Sequence, residues 1–220
     1  MIYITGDLHG DTSLIRLKEA ANKENIEYLI VTGDFGYGYF DNEFENSLLD
    51  EISKLNYTIL WVDGNHEGFD NLKKFPVENW CGGTIHKLRD NIFHLNRGEI
   101  YTINNKTFFT FGGARSVDIY HQKAQGTWFE EEMPTKAEMD YGIENLEKYT
   151  YTVDYIITHN CDEESLISIL PYAEADELVR FFTFIKNNSH YKKWYFGHMH
   201  IDCNIDNIHR CMYRNIIELV

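Results

Sequence analysis

Met1-Ile2-Tyr3-Ile4-Thr5-Gly6-Asp7-Leu8-His9-Gly10 opens the chain, and how this stretch is read governs everything after it. Residues 2–5 form a short apolar run, the pattern of a buried strand, and Gly6 ends it. Asp7 and His9 follow at once. Extended backbone has a side-chain period of two, so continued strand geometry places the carboxylate and the imidazole on one face. Gly6 and Gly10 permit tight turns on either side. Alone, Asp-x-His is a loose signal that equally describes an ordinary turn. Its weight comes from recurrence.

Further strands end in the same way. Tyr28-Leu29-Ile30-Val31-Thr32 stops at Gly33-Asp34, and Tyr57-Thr58-Ile59-Leu60-Trp61-Val62 stops at Asp63-Gly64-Asn65-His66-Glu67. Helical patterns lie between them. Asp11, Thr12 and Ser13 favour a helix start, and Leu14, Ile15, Leu17, Ala20 and Ala21 mark an apolar stripe to about Glu24. Phe44, Leu48, Leu49, Ile52 and Leu55 mark a second helix. Strand–helix alternation without hairpins implies βαβ crossovers and a parallel sheet, whose ligands gather at the carboxyl ends of the strands.

From Asn91 the pattern changes to short strands at Ile92–Leu95, Glu99–Ile103 and Lys106–Phe111, the last two joined by a hairpin-like turn at Asn104-Asn105. Residues 115–134 read as one long irregular loop carrying Trp128 and Phe129, with Glu130-Glu131-Glu132 as a solvated acidic run. Thr135 and Glu138 form a capping box for a helix to about Lys148. Val153–Thr158 is a buried strand delivering His159. Helices follow at Glu163–Leu170 and Ala173–Lys186, and Trp194-Tyr195-Phe196 delivers Gly197-His198-Met199-His200. Residues 201–220 read as closing strands. No linker or repeat divides residues 1–220, so one domain is expected.

Composition sets outer limits. The 220 residues are 43% hydrophobic with three prolines, which suits a folded globule. A formal charge of −15 disfavours nonspecific binding to nucleic acid or anionic membrane. A phosphate substrate stays compatible, because bound divalent cations reverse the local sign. The four cysteines show no C-x-x-C pair, which suits free thiols in a reducing compartment. No leader or membrane-spanning run is visible, so a cytoplasmic location is expected.

The strand ends together supply Asp7, His9, Asp34, Asn65, His66, His159, His198 and His200. Eight such residues exceed the needs of one metal. With Asp34 as a bridging carboxylate, two ions can be satisfied. A mixed oxygen and nitrogen donor set suits Mn²⁺, Fe or Zn²⁺ better than Ca²⁺, and the lack of thiolates argues against a structural zinc site. Two metals ~3.5–4 Å apart clamp an in-line displacement at phosphorus.

These residues carry a resemblance. Gly6-Asp7-Leu8-His9-Gly10, Gly33-Asp34, Gly64-Asn65-His66-Glu67, Thr158-His159 and Gly197-His198-Met199-His200 resemble the ordered motif set of the calcineurin-like metallophosphoesterases. The Gly112-Gly113-Ala114-Arg115-Ser116 turn and Trp128-Phe129 resemble a small bacterial and phage-type branch. The resemblance implies an α/β fold, a four-layer αββα sandwich with the metal site at the carboxyl ends of the strands. It implies one metal on Asp7, His9, His200 and bridging Asp34, and a second on Asn65, His159, His198 and Asp34. His66 is then the general acid, protonating the leaving oxygen as a metal-bound hydroxide attacks. The implied substrate is a phosphorylated small molecule, a nucleotide or another phosphoester.

There are departures. Where many relatives carry a second Asp and an Arg, this chain reads Phe35-Gly36-Tyr37-Gly38-Tyr39-Phe40. The Arg that grips the substrate phosphate and the Asp that orients the acid His are therefore missing there. Arg115 is the candidate replacement cation, and Glu67 the candidate to orient His66.

Other readings are weaker. Gly33, Gly36 and Gly38 lack the third glycine and the acidic residue of a dinucleotide fingerprint. His66-Glu67 has no second His for a zincin, and Cys161 has no Arg-bearing phosphate loop. A hydrolase of phosphate mono- or diesters is therefore the primary expectation. A metal-dependent nuclease or cyclic-nucleotide phosphodiesterase is the alternative within the enzymes. A metal-binding regulatory protein with weak turnover is the alternative outside them.

Overall fold

The computed structural model describes residues 1–10 and 14–219. β1 (Ile2–Thr5), α1 (Leu14–Ala20), β2 (Tyr28–Val31), α2 (Glu43–Ile52) and β3 (Thr58–Trp61) come first. The three strands pair in parallel, Ile4 beside Ile30 and Ile30 beside Leu60, as the alternation requires. Asp11, Thr12 and Ser13 lie outside the described residues. α1 ends at Ala20 rather than Glu24: Asn22 and Lys23 donate three residues back instead of four, and Asn25 turns left-handed at φ 49°.

After the single turn α3 (Phe69–Leu72) come two strands that the sequence pattern does not announce, β4 (Val77–Trp80) and β5 (Gly83–Arg89). β4 is an edge strand with three of its four residues exposed, so no apolar run marks it. Its hairpin turns at Cys81-Gly82, both at positive φ, without the usual Asn-Gly signature. β6 (Ile92–Leu95), β7 (Glu99–Ile103) and β8 (Lys106–Phe111) match the expected strands.

The expected irregular loop at 115–134 contains a helix, α4 (Ile119–Gln125), and a 3₁₀ turn at Glu130–Glu132. α4 buries only Gln122, so it carries no apolar stripe to read. α5 (Lys136–Lys148) begins with the expected reciprocal capping box of Thr135 and Glu138. β9 (Tyr155–Thr158), α6 (Glu163–Ile169), α7 (Glu177–Asn188) and β10 (Lys193–Phe196) follow. α7 starts later than expected because Asp176 caps it, accepting the N–H of Val179. β11 (Cys203–Asn204), β12 (His209–Cys211) and β13 (Ile217–Glu218) close the chain.

Among the described residues these strands build two sheets, β13-β1-β2-β3-β6-β5-β4 and β11-β12-β10-β9-β8-β7. Strand alternation sorts the apolar side chains into three buried groups. Tyr3, Leu29, Val31, Ile59 and Trp61 face α1 and α2, meeting Leu17, Ala20, Leu49 and Ile52. Ile2, Ile4, Ile30 and Leu60 turn inward against Phe108, Tyr155, Ile157 and Tyr195 of the other sheet. The far side of that sheet, with Phe109, Phe111, Ile156, Trp194 and Phe196, packs on Met139, Leu146, Leu166 and Phe182 of α5, α6 and α7. The order of layers is therefore αββα, as the resemblance implies. The parallel strands β1, β2 and β3 of one sheet and β9 and β10 of the other run out toward one shared edge.

Candidate metal centre

At that edge the loops after β1, β2, β3, β9 and β10 bring together the residues singled out from the sequence. Ligand atoms of Asp7, His9, Asp34 and His200 all lie within 4.8 Å of one another. His9 Nε2 and His200 Nε2 are 2.8 Å apart, and His200 Nε2 is 3.2 Å from Asp7 Oδ2. On the other side of Asp34, His159 Nε2 lies 3.6 Å from Oδ2 and 3.1 Å from Asn65 Oδ1. The His198 ring packs edge-on against His159 at 5.0 Å between centroids.

Strand period is not what aligns Asp7 with His9. β1 ends at Thr5, and His9 has φ 55°. Asp34, His198 and His200 are likewise left-handed, at φ 47°, 67° and 52°. Each such non-glycine residue costs about 1–3 kcal/mol. Side chains turned inward by this backbone converge from different strands on one point. Neighbouring glycines make the room. A Cβ on Gly64 would sit 2.0 Å from Asp34 Oδ1, and one on Gly197 would sit 2.2 Å from Asp7 Oδ1.

Asp34 is buried and held at one of its oxygens. The His66 backbone N–H donates to Oδ1 at 2.8 Å, which leaves Oδ2 between His9, at 3.7 Å, and His159. Burial opposes its charge, but His159, His66 and His9 outweigh that and hold the carboxyl below its usual range. Burial pushes His198 down to about 3 and lowers His9, which in each ring favours the uncharged form. His200 is raised, first by its hydrogen bond to Asp7.

The donor set fits a cation, and the hydrogen bonds say so directly. The His159 Nδ1–H donates to the carbonyl of Thr32 at 2.7 Å. A carbonyl only accepts, so in the neutral ring Nε2 carries a bare lone pair. Asn65 donates its Nδ2–H to Ser116 Oγ at 3.0 Å, which turns Oδ1 toward that same nitrogen. Two acceptors face one another at 3.1 Å beside a carboxylate. A positive ion among them resolves the clash.

Sequence reading missed the support behind Asn65. Ser116 Oγ donates to Glu132 Oε2 at 2.6 Å, and Ser116 N–H donates to Oε1 at 3.0 Å. Both residues are buried, at 3% and 1% exposure, so Glu132 does not belong to a solvated acidic run. Its carboxylate fixes the serine, and the serine fixes the amide. Residues that orient a ligand in this way typically change metal affinity by ~10–100-fold when removed. Ser116→Ala should therefore weaken Mn²⁺ binding by about that factor with the fold intact. An unchanged binding isotherm would show that Asn65 needs no such support.

One expectation takes a different form. Glu67 is buried, but its Oε1 accepts the backbone N–H groups of Phe35 and Gly64, at 3.0 and 3.2 Å. It ties two strand ends together and makes no hydrogen bond to His66. Burial and then Asp34 push its pKa well up. Arg115 has a 57% exposed side chain and pairs with Asp176 at 3.5 Å. His66 is half-buried, with its ring 5.5 Å from that of His9.

The four cysteines are free, and Cys161 is buried, with burial pushing its thiol well up. A cavity of about 750 Å³ lies beside Asp63, His94 and Arg97 and borders none of the converging ligands. A smaller one of about 390 Å³ borders Asp7 and His9, and there the chemistry is concentrated. Among the described residues, no helix is long and apolar enough to cross a membrane.

A family model described as calcineurin-like phosphoesterase matches residues 1–202. No curated protein matches the chain.

Proposed function

The chain belongs to the calcineurin-like phosphoesterase family, and from that premise we propose that it hydrolyses phosphate mono- or diesters with two divalent metal ions. The observation that carries this reading is the convergence around Asp34: Asp7, His9 and His200 on one side, and the facing acceptors of Asn65 and His159 on the other. Asp7, His9 and His200 would hold one ion, and Asn65, His159 and His198 the other, with Asp34 shared. The bound ions supply charge neutralisation at the phosphoryl oxygens and a lowered pKa for water. Mn²⁺ suits this donor set, with Fe and Zn²⁺ as substitutes.

The chain's own residues do the rest. Thr32 and Ser116, through His159 and Asn65, fix lone pairs in advance, so little reorganisation remains at the moment of reaction. The His66 backbone N–H steadies Asp34, while its ring, 5.5 Å from that of His9, would be the proton donor to the leaving oxygen. We also read residues 1–220 as one domain. β11, β12 and β13, all beyond residue 202, add strands to both sheets, which supports that reading.

Elemental analysis after reconstitution should give close to two ions per chain. Chelation should abolish hydrolysis of nitrophenyl phosphate or bis-nitrophenyl phosphate, and Mn²⁺ should restore it. A protein that binds both ions and turns over no phosphoester would be a metal-binding regulator instead. One ion per chain with full turnover would overturn the two-metal reading.

A further inference from the structure

We propose that the cavity beside the metal centre receives a second anionic group of the substrate, a phosphate or a carboxylate, and that Arg214 recognises it. This rests on the reading of the centre as a phosphoester hydrolase. The cavity, about 390 Å³, is lined by Asp7, His9, Ile15, Arg16, Tyr213 and Arg214 among others. Two of those residues belong to the metal centre, so a substrate whose phosphate sits on the ions reaches into this space with its remainder.

The wall is built rather than incidental. The Tyr213 ring stacks on His200, with centroids 4.9 Å apart and planes at 19°. The Arg214 guanidinium carbon lies 5.2 Å from the centre of the same ring. Asp202, two residues past His200, accepts the backbone N–H groups of Tyr213 and Arg214 at 2.9 Å each and that of Asn215 at 3.2 Å. One carboxylate thus clasps the loop carrying Arg214 against the segment carrying His200.

The cavity's two arginines play different parts. Arg16 donates to the carbonyls of Asp7, at 2.9 Å, Gly6, at 3.3 Å, and Tyr213, so it is spent on holding the wall. Arg214 is exposed, and among the described residues its guanidinium has no hydrogen-bond or ion-pair partner. Glu19 also lines the cavity as an exposed carboxylate, which confines an anion to the Arg214 side. In a chain of net charge −15, a guanidinium stacked on Tyr213 and without an ion-pair partner among the described residues supplies positive charge beside the ligand cluster. Its planar donor fork matches phosphate and carboxylate oxygens. Tyr213 and Arg214 lie beyond the residues matched by the family, so this subsite belongs to the chain's own closing segment.

The test compares phenyl phosphate, 4-carboxyphenyl phosphate and hydroquinone bisphosphate on the Mn²⁺-reconstituted protein. The wild type should prefer the last two in kcat/KM. Arg214→Gln should cut that preference about tenfold, the discrimination given by one charge-assisted contact. Arg214→Lys should keep part of it, and metal content should stay at the wild-type value. Loss with only one of the two compounds would identify which anion the subsite takes. A preference that is absent from the wild type, or unchanged in Arg214→Gln, overturns the proposal. If none of the three is turned over, the hydrolase reading fails, and calorimetry with the same compounds decides the subsite. Arg214→Gln must then weaken binding of the doubly anionic pair relative to phenyl phosphate, or the subsite fails as well.

Discussion

Asp34→Asn should lose one or both metal ions and nearly all turnover while keeping its fold. The substitution preserves shape and removes charge at a carboxylate whose Oδ2 lies 3.7 Å from His9 on one side and 3.6 Å from His159 on the other. Its orientation in the variant is dictated by the structure. The His66 N–H donates to Oδ1 at 2.8 Å, so the amide oxygen must stay there. The amide nitrogen then takes the place of Oδ2 and presents hydrogens toward His9 and His159, where the wild type presents an acceptor at 3.7 and 3.6 Å. A group with no free lone pair cannot be shared by two cations. Residues that only orient a ligand typically account for ~10–100-fold in affinity or rate, and a shared ligand should exceed that. Metal content, activity and circular dichroism on one preparation check the expectation. A variant that retains both ions and most of its rate would place the bridge elsewhere.

His66→Asn should separate proton donation from metal binding. The backbone N–H of residue 66 supports Asp34 whatever the side chain, so both ions should remain. General acid catalysis typically contributes ~10²–10⁴-fold, and it matters most when the leaving alkoxide is a strong base. The variant should therefore lose about that factor on alkyl phosphates and much less on nitrophenyl phosphates, whose leaving group is already stable as an anion. His159→Asn is the contrast. It removes the ring held by Thr32 and facing Asn65, so it should release an ion and fail on both ester types. Equal impairment of His66→Asn on the two esters, or an emptied site, would make His66 a ligand or a binding group.

Much of this molecule is legible in order along the chain, because the signals are local. Strand runs such as Tyr28–Val31 and Thr58–Trp61, with helical stripes between, specify parallel crossovers. Parallel crossovers bring Gly6-Asp7, Gly33-Asp34 and Gly64-Asn65-His66 to one sheet edge. Of the residues that the ordered motifs name, Asp7, His9, Asp34 and His200 have ligand atoms within 4.8 Å of one another. Where local signals fade, the reading fails. β4 is an exposed edge strand, and α4 buries a single polar residue, so neither shows the periodicity that burial imposes.

The sequence by itself determined the parallel crossovers, implied the layer order through the resemblance of its motifs, and named Asp7, His9, Asp34 and His200, which meet at the strand ends. Only the tertiary structure decided how those residues are held. Asn65 depends on Ser116, 51 residues away, and His159 on Thr32, 127 residues away. Arg16 and Tyr213, brought together across 197 residues, build one wall of the cavity. A triple glutamate reads as solvated because Ser116, which donates to its last member, lies 16 residues away. Burial and hydrogen-bond partners are properties of pairs, and the members of these pairs are chosen by sheet packing rather than by their neighbours in sequence.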